Sequence, residues 1–553
     1  MDQTTANKEK KLTDKVIKIM TAVISVLPFF SLFMAKWQTD PDTYWIIKTG
    51  EYICKNGIPT KDFLTFHTNM DLVVQQWLSD VIYYKLYNAM GFFGPMLLVL
   101  IMYCIFIVLF KKLCLQISSK PIIASFVTFA AALGMINFFV TRPQIFTYSI
   151  ILIELICLEK FVKSNNWKHL IPLPILSILV VNLHASMWTM LFIVLLPYMA
   201  NALPIKIKGK SIACCKLMPL IIVAIIMAAC GLITPYGIKG LSFLFTTSIG
   251  DKVNSAILEL KPLTVSKNNF SFLIYPIAIL AIYIFYKKGK TSIRHALLSV
   301  GTALMMMMYM KLIPYFIICA IPSTLKYIDN INFRKEFMKL VAKDQEAKKS
   351  QNKKESKGLI KCTVALIIVI SVGIVGYLAN SFYTQASNYI KYDGGSKSTV
   401  YMDKAIDKMQ EDIDKNNVTD LRLFNGFNTG GYLEFKGYTT YIDPRADSFV
   451  KEANHEYDYL TEYFNLINGK KDYKKVFNKY NFNYAFVDIN SEKPLYVNLK
   501  NDENYKKIFN KYGFNYAIID KSSEKPIYIN LINDDDYQLI YKNKYYAAFK
   551  KIK

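Results

Sequence analysis

Of the nine cysteines in the chain, only Cys54 falls in a stretch that reads as lying outside a membrane, so the exported part has no disulfide framework. Cys104, Cys157, Cys230, Cys319 and Cys362 lie in apolar runs, and Cys114, Cys214 and Cys215 in basic connectors. No pair has the spacing of a metal site. The run Met305-Met-Met-Met308 does not change this, because no soft-metal pattern surrounds it and flexible thioethers are ordinary apolar filler. Acidic residues are also scarce: 42 Asp and Glu stand against 67 Lys and Arg, a net charge of +25. In a soluble chain that balance would suggest nucleic acid. Here no zinc, helix-turn-helix or RNP-type signature accompanies it, and the lysines cluster between apolar runs as cytoplasmic loops do. Nucleic acid is therefore not expected as a partner. A small-residue cleavage site is missing as well, although Lys8, Lys10, Lys11, Lys15 and Lys18 precede the first apolar run like the basic region of a signal peptide. That run reads as a retained span with its N-terminus inside.

What the chain has in abundance is apolar sequence. Its 553 residues are 53% hydrophobic with a mean hydropathy of +0.21, which points to a polytopic α-helical membrane protein. About eleven runs have the roughly 16–22 residues needed to cross a hydrocarbon core: 16–35, 91–110, 121–140, 144–161, 169–183, 185–203, 217–235, 270–286, 295–310, 312–325 and 359–379. Alternating from an inside N-terminus, the lysine-rich groups at 111–120, 160–168, 206–216, 287–294 and 326–361 all fall in the cytoplasm. The alternation does not impose that agreement, so it supports the orientation. The expected organisation is a transmembrane module over 1–380 and an extracytoplasmic α/β domain over 381–553. Within the module lie a first outer loop at 36–90, another at 236–269 and a basic cytoplasmic loop at 326–358.

The same alternation gathers the unusual polar residues on the outer face: Asp40, Asp42, Gln75, Gln76, Arg142, Gln144, His184, Tyr236, Glu259 and Lys311, with Trp77 beside Gln76. Each also has a structural reading. Asp40 and Asp42 suit a general base at a membrane surface, and equally a cap on a helix starting near Thr43 with Pro41 in its first turn. Arg142 offers a fork that matches a phosphate, or an interfacial anchor. His184, in a hairpin between spans, is a ligand or a satisfied structural donor. Lys311 neutralises a lipid phosphate or snorkels to the interface. Glu259 is a further candidate carboxylate. Glu154, inside a span, stays outside the expected site.

The tail is polar, with short mixed segments. Val400 to Ile413 has helical periodicity, and Leu421-Arg-Leu-Phe424 and Thr439-Thr-Tyr-Ile442 read as buried strands. Between them, Asn425-Gly-Phe-Asn-Thr-Gly-Gly431 lacks the lysine of a P-loop and reads as a tight loop. Asp443-Pro-Arg445 is a structural ion pair. A tandem repeat follows over 473–504 and 505–536, with Tyr473-Lys-Lys-Val-Phe-Asn-Lys-Tyr480 recurring as Tyr505-Lys-Lys-Ile-Phe-Asn-Lys-Tyr512. Two copies are too few for a solenoid, so the duplication is expected to add a strand and a helix at the edge of the domain.

Taken in order, Asp40-Pro-Asp-Thr-Tyr-Trp45 with Gly50, Gly57, Pro59 and Asp62, then Gln76-Trp-Leu78, Arg142-Pro-Gln144, Asn182-Leu-His184, Pro235-Tyr-Gly237, Glu259, and Gly430-Gly-Tyr432 with Asp443 and Arg445, resemble the GT-C superfamily. These are polyprenyl-phosphate-sugar-dependent membrane glycosyltransferases, including protein mannosyltransferases and lipid A aminoarabinose transferases, and the chain is most similar to a bacterial subgroup with little characterised biochemistry. The resemblance implies that Asp40 or Asp42 is the general base or positions the acceptor, and that Arg142 and Lys311 hold the lipid phosphate. It departs from the pattern at Ile46, where a histidine is frequent, and at Lys311, where an arginine is common. The implied reaction moves a hexose or pentose from a polyprenyl-phosphate donor to a glycan, lipid or protein acceptor of the cell envelope. No metal ligand set is assigned, and a divalent cation stays open. The rival readings are a transporter or flippase of lipid-linked precursors, although no repeated halves are seen, and a non-catalytic membrane scaffold.

Overall fold

The computed structural model describes residues 26–118, 120–207, 210–211, 213–248, 260, 292–330, 376–394, 397–468, 470–471, 473–482, 484–486, 516–520, 537–542 and 546–551. The chain is mostly helical. The stretch expected as a first outer loop contains two helices, Asp42–Asn56 (α1) and Trp77–Met90 (α2). Glycines in the positive-φ region end both, Gly57 at φ +84° and Gly91 at φ +59°, a conformation that costs glycine little. Gly50 lets α1 and α2 touch, since a Cβ there would lie 2.0 Å from the Asp80 carbonyl oxygen.

The apolar helices follow: Phe93–Ile117 (α3), Pro121–Met135 (α4), Gln144–Ser164 (α5), Pro172–Leu183 (α6), Trp188–Ala202 (α7), Leu217–Cys230 (α8), Gly237–Ser248 (α9), Ile293–Met308 (α10) and Ile313–Asn330 (α11). Prolines open several of them, where a missing N–H is harmless: Pro121 and Pro172 in first turns, and Pro143 as the residue before α5. Among the described residues, three helical stretches are long and apolar enough to cross a membrane: Phe93–Ile117, Pro121–Phe138 and Ala185–Ala202. The 25 residues of α3 reach about 37 Å. Eight of the expected runs coincide with helices, α3 to α8, α10 and α11, with their ends displaced by a few residues. The run at 270–286, half of that at 16–35 and most of that at 359–379 lie outside the described residues. At the end of α5 remote from Arg142, the buried Glu159 accepts from Arg294 Nε (2.8 Å), Arg294 Nη2 (3.0 Å) and Tyr198 Oη (2.9 Å), and His295 Nε2 lies 3.0 Å away. That cluster ties α5, α7 and α10 together.

In the tail come a helix over 376–391 (α12), Lys397–Lys415 (α13), Leu423–Asn425 (β1), Phe427–Phe435 (α14), Tyr459–Ile467 (α15), Tyr473–Tyr480 (α16), Tyr484–Phe486 (β2), Tyr516–Asp520 (β3), Tyr537–Lys542 (β4) and Tyr546–Lys551 (β5). The strands form one mixed sheet in the order β1-β2-β3-β5-β4, with β1, β2 and β3 parallel. Three expectations change. Gly430 and Gly431 stand inside α14 rather than in a tight loop, because a helix with no side chain there can press on its neighbours: a Cβ on Gly430 would meet the Ile442 carbonyl oxygen at 2.2 Å. Thr440, Tyr441 and Ile442 are buried and Thr439 is exposed, and the segment makes no strand beyond a single bridge from Thr440 to Thr65, between α1 and α2. The duplicated strands lie inside the sheet rather than at its edge, since β3 is flanked by β2 and β5. Ala485 pairs with Ala517, so equivalent residues of the two copies stand side by side. The second copy of the repeat helix lies outside the described residues.

Candidate functional site

The site is built around the start of α1. The Asp40 carbonyl accepts from the Thr43 N–H at 3.0 Å, and Asp40 Oδ1 accepts from the Asp42 N–H at 3.0 Å. Asp40 thus shapes the turn that opens the helix, while Asp42 sits in the first turn, where the helix dipole favours an anion. The same carboxylates meet a cation from 102 residues away: Arg142 Nε lies 2.6 Å from Asp40 Oδ1 and 3.1 Å from Asp42 Oδ2. Further bonds hold the start of α1, and α2, against Thr141 and Arg142. The Asp40 N–H donates to Thr141 Oγ1 (3.0 Å), Thr43 Oγ1 donates to the Thr141 carbonyl (2.9 Å), and Tyr83 Oη donates to the Arg142 carbonyl (3.1 Å). All three charged side chains keep 15–21% of their surface accessible, so the cluster faces an opening rather than a sealed core.

Beside it lies the junction of α6 and α7. His184 Nδ1 shares a 2.8 Å hydrogen bond with Thr147 Oγ1 of α5. Burial, then the charges of Lys311 and Arg142, push its imidazole down to about 3, so it is neutral across the physiological range. The Ala185 N–H donates to the Gln75 carbonyl at 3.0 Å and Ser79 Oγ donates to the Leu183 carbonyl at 2.6 Å, which fixes the hairpin against the start of α2. Lys311 is exposed on the turn Met310–Leu312, and its charge acts on His184 and on Asp447.

The expected residues divide accordingly. Asp40, Asp42 and Arg142 come together, His184 stands where the charges of Lys311 and Arg142 act on it, and Gln144 begins α5 just past Arg142 with part of its surface open. Gln76 and Trp77 have structural employment: Gln76 Nε2 donates to Asp80 Oδ1 (3.1 Å) and Trp77 Nε1 to Asn182 Oδ1 (2.7 Å). Tyr236 packs beside Ile53, Leu72 and Val74, and its hydroxyl donates to the Pro59 carbonyl (2.8 Å). Glu259 lies outside the described residues. Among the described residues, no group of three or more His, Cys, Asp or Glu could hold a metal ion.

The tail contributes a layer that sequence reasoning took as an isolated ion pair. Arg445 Nε and Nη2 bind the Asp443 carboxylate at 2.6–3.0 Å, while Nη1 reaches Asp62, between α1 and α2, at 2.7 Å, all buried. Asp62 Oδ2 in turn accepts from the N–H (2.9 Å) and the hydroxyl (2.7 Å) of Thr65. Burial, then the adjacent Asp443 charge, push the Glu434 carboxyl well up. Asp80, fully enclosed under the start of α2, is likewise pushed up by burial against the opposing help of Gln76 and Arg445. The signal available in the sequence was Asp443-Pro-Arg445 itself, whose fork needed a second carboxylate that spacing cannot locate.

No family model matches the chain, and no curated protein does. Among solved structures it is similar to the oligosaccharyltransferase of Archaeoglobus fulgidus tethered with an acceptor peptide containing the NVT sequon via a disulfide bond, at 13% identity and a TM-score of 0.47, covering 92% of this chain and 70% of that one. The apo form of the same enzyme gives 12% identity and a TM-score of 0.42 over the same shares. A likeness this distant does not transfer an activity.

Proposed function

We propose that the chain is a multi-pass cell-membrane glycosyltransferase that moves a sugar from a polyprenyl-phosphate donor to a cell-envelope acceptor on the outer face. The observation that carries this reading is the Asp40–Arg142–Asp42 cluster, in which one guanidinium nitrogen straddles two carboxylates at the accessible start of a helix. In this reading the N-terminus is cytoplasmic and the segment 381–553 is extracytoplasmic. Asp40 or Asp42 takes the proton of the acceptor hydroxyl as its oxygen attacks the sugar. Arg142 holds the carboxylate pair in place, and Lys311 with Arg142 offsets the charge that builds on the phosphate as the sugar–oxygen bond breaks. Neutral His184 donates or accepts a hydrogen bond beside them.

The test combines purified full-length protein with a polyprenyl-phosphate sugar, and compares lipid extracts of strains. Asp40→Asn and Asp42→Asn are expected to lower donor turnover by about 100-fold or more for the residue that serves as base, and to remove the same glycan as deletion of the gene. A scaffold would lose the glycan only on deletion. Absence of donor turnover together with an unchanged glycan in both variants overturns the proposal.

A further inference from the structure

Helix α3 carries exposed apolar side chains on one face: Ile101, Ile105, Val108 and Leu115 recur at helical spacing and keep 40–55% of their surface accessible. Lys112 continues that stripe one turn past Val108, and Lys111 stands beside it. The 3-10 helix Leu27–Met34 runs back along α3, since the Tyr103 hydroxyl donates to Ser31 Oγ at 2.8 Å and Trp37 stacks on Phe93 with ring centroids 6.4 Å apart. Between the two lies an open groove of about 470 Å³. Phe29, Ile107 and Val108 give it apolar walls, and Lys111, Lys112 and Gln116 make its polar end. Gln116 Oε1 is shut off from solvent and has no hydrogen-bond partner among the described residues, a costly arrangement for an acceptor. Lys163 of α5 donates to the Gln116 carbonyl, which brings a third cation to the same end. The opposite end of α3 adjoins the Asp40 segment: Tyr389 Oη donates to the Phe92 carbonyl (3.1 Å) and shares a 3.0 Å hydrogen bond with Thr39 Oγ1. Lys111 therefore stands about 27 Å away from that end along the helix.

We propose that this groove binds an anionic glycerophospholipid whose headgroup carries a hydroxyl, of the phosphatidylglycerol type, in the leaflet at that end of α3, which is cytoplasmic in the orientation proposed above. An acyl chain lies along Phe29, Ile107 and Val108, the phosphate meets the Lys111 and Lys112 ammoniums, and the headgroup hydroxyl donates to Gln116 Oε1. A lysine that only snorkels to the interface needs no cavity and leaves no acceptor unpaired. Here each part of such a lipid meets its complement within one groove, the form in which basic pockets between membrane helices hold anionic headgroups. The proposal requires only that α3 cross a membrane, for which it is long and apolar enough. It does not depend on the glycosyltransferase reading.

Native mass spectrometry of the full-length protein in a neutral detergent, titrated with phosphatidylglycerol, phosphatidic acid or phosphatidylcholine, tests this by counting retained lipid and giving each Kd. The wild type is expected to take up phosphatidylglycerol at a saturable site, at least about tenfold more tightly than phosphatidylcholine. Lys111→Gln combined with Lys112→Gln is expected to weaken phosphatidylglycerol by about 30-fold, the contribution of two lysines at a membrane surface. Gln116→Leu is expected to weaken phosphatidylglycerol by about fivefold and to leave phosphatidic acid, which has no headgroup alcohol, unchanged. Should the double variant fail to fold, Val108→Trp, which fills the groove from its exposed side, is expected to remove the saturable site with both lysines intact. Wild-type selectivity in the double variant or in Val108→Trp overturns the proposal, as does non-saturating retention that is equal for phosphatidylglycerol and phosphatidylcholine. Equal weakening of phosphatidic acid and phosphatidylglycerol by Gln116→Leu overturns the role given to its amide. Displacement of phosphatidylglycerol by equimolar glycerol 3-phosphate would mark a site for soluble phosphates and overturns the proposal as well.

Discussion

His67 shows how far a single side chain can be specified by what surrounds it. It stacks on Tyr459 with ring centroids 3.8 Å apart, and its Nε2–H donates to the Tyr441 carbonyl at 3.0 Å. Burial pushes the imidazole from its ordinary 6.5 down to about 4, against the pull of the Tyr441 carbonyl, Asp62 and Glu462. Nearby, Glu462 is taken from 4.5 to about 2: burial works against this, but Lys471, Tyr480 and Tyr457 outweigh it. Both groups bind a proton less readily folded than unfolded, so both contribute stability that acid removes. For His67 the loss runs from 6.5 toward about 4, and for Glu462 from 4.5 toward about 2. Amide exchange in the tail, followed from neutral pH downward, is expected to quicken in these two windows. His67→Gln is expected to flatten the upper window and Glu462→Gln the lower; a single unchanged acid transition in both variants contradicts the assignment. Neither role was legible from the sequence, where His67 stands alone between Phe66 and Thr68 and the aromatic partners arrive nearly four hundred positions later.

At the scale of elements, the contact of α1 with α2 depends on the absence of one methyl group. Gly50 would place a Cβ 2.0 Å from a backbone oxygen and 2.7 Å from Tyr84 Cβ, and neither is the yielding end of a side chain. Gly50→Ala is therefore expected to cost about 3 kcal/mol, read as a lowered melting temperature, and, on the glycosyltransferase reading proposed above, to weaken donor turnover because α1 carries Asp42 at its first turn. An alanine variant with unchanged melting would mean that the helices separate without cost. The apolar helices were legible because uniform hydrophobicity and prolines such as Pro121 and Pro143 mark their extents. Of α1 only a start near Thr43 was legible, as one of two readings of Asp40 and Asp42, and α2 was not legible, because α1 buries one side, through Tyr44, Ile46, Ile47 and Ile53, and a search for continuous apolar runs passes over both. The convergence of Arg142 on Asp40 and Asp42 was half legible: charge bias put all three on one face, but only folding brings residues 102 apart to within 2.6 Å.

For the whole molecule, the link that matters most joins residues separated by 383 positions, Asp62 and Arg445. The backbone repeats the connection: the Phe66 N–H donates to the Thr440 carbonyl (3.2 Å), the Thr440 N–H to the Leu64 carbonyl (3.3 Å), and the Asp71 N–H to the Asn454 carbonyl (3.2 Å). Removing one member of a buried ion group leaves the others uncompensated, so Arg445→Met is expected to cost about 3–5 kcal/mol. Amide protection is expected to fall together in the segments around Asp62 and around Asp443; loss confined to the tail would show that the two segments hold independently.

The arrangement also imposes an order in time. Asp62 leaves the ribosome 383 residues before the arginine that neutralises it, which at roughly 5–20 residues per second is a wait of about 20–80 s. During that interval Asp62 is without its partner charge, and the start of α1 lacks α14, whose Gly431 lies against the Pro41 carbonyl and Trp45. A nascent chain that already contains Asp40 and Asp42 thus lacks the contacts that hold the start of α1 until most of the tail has been made.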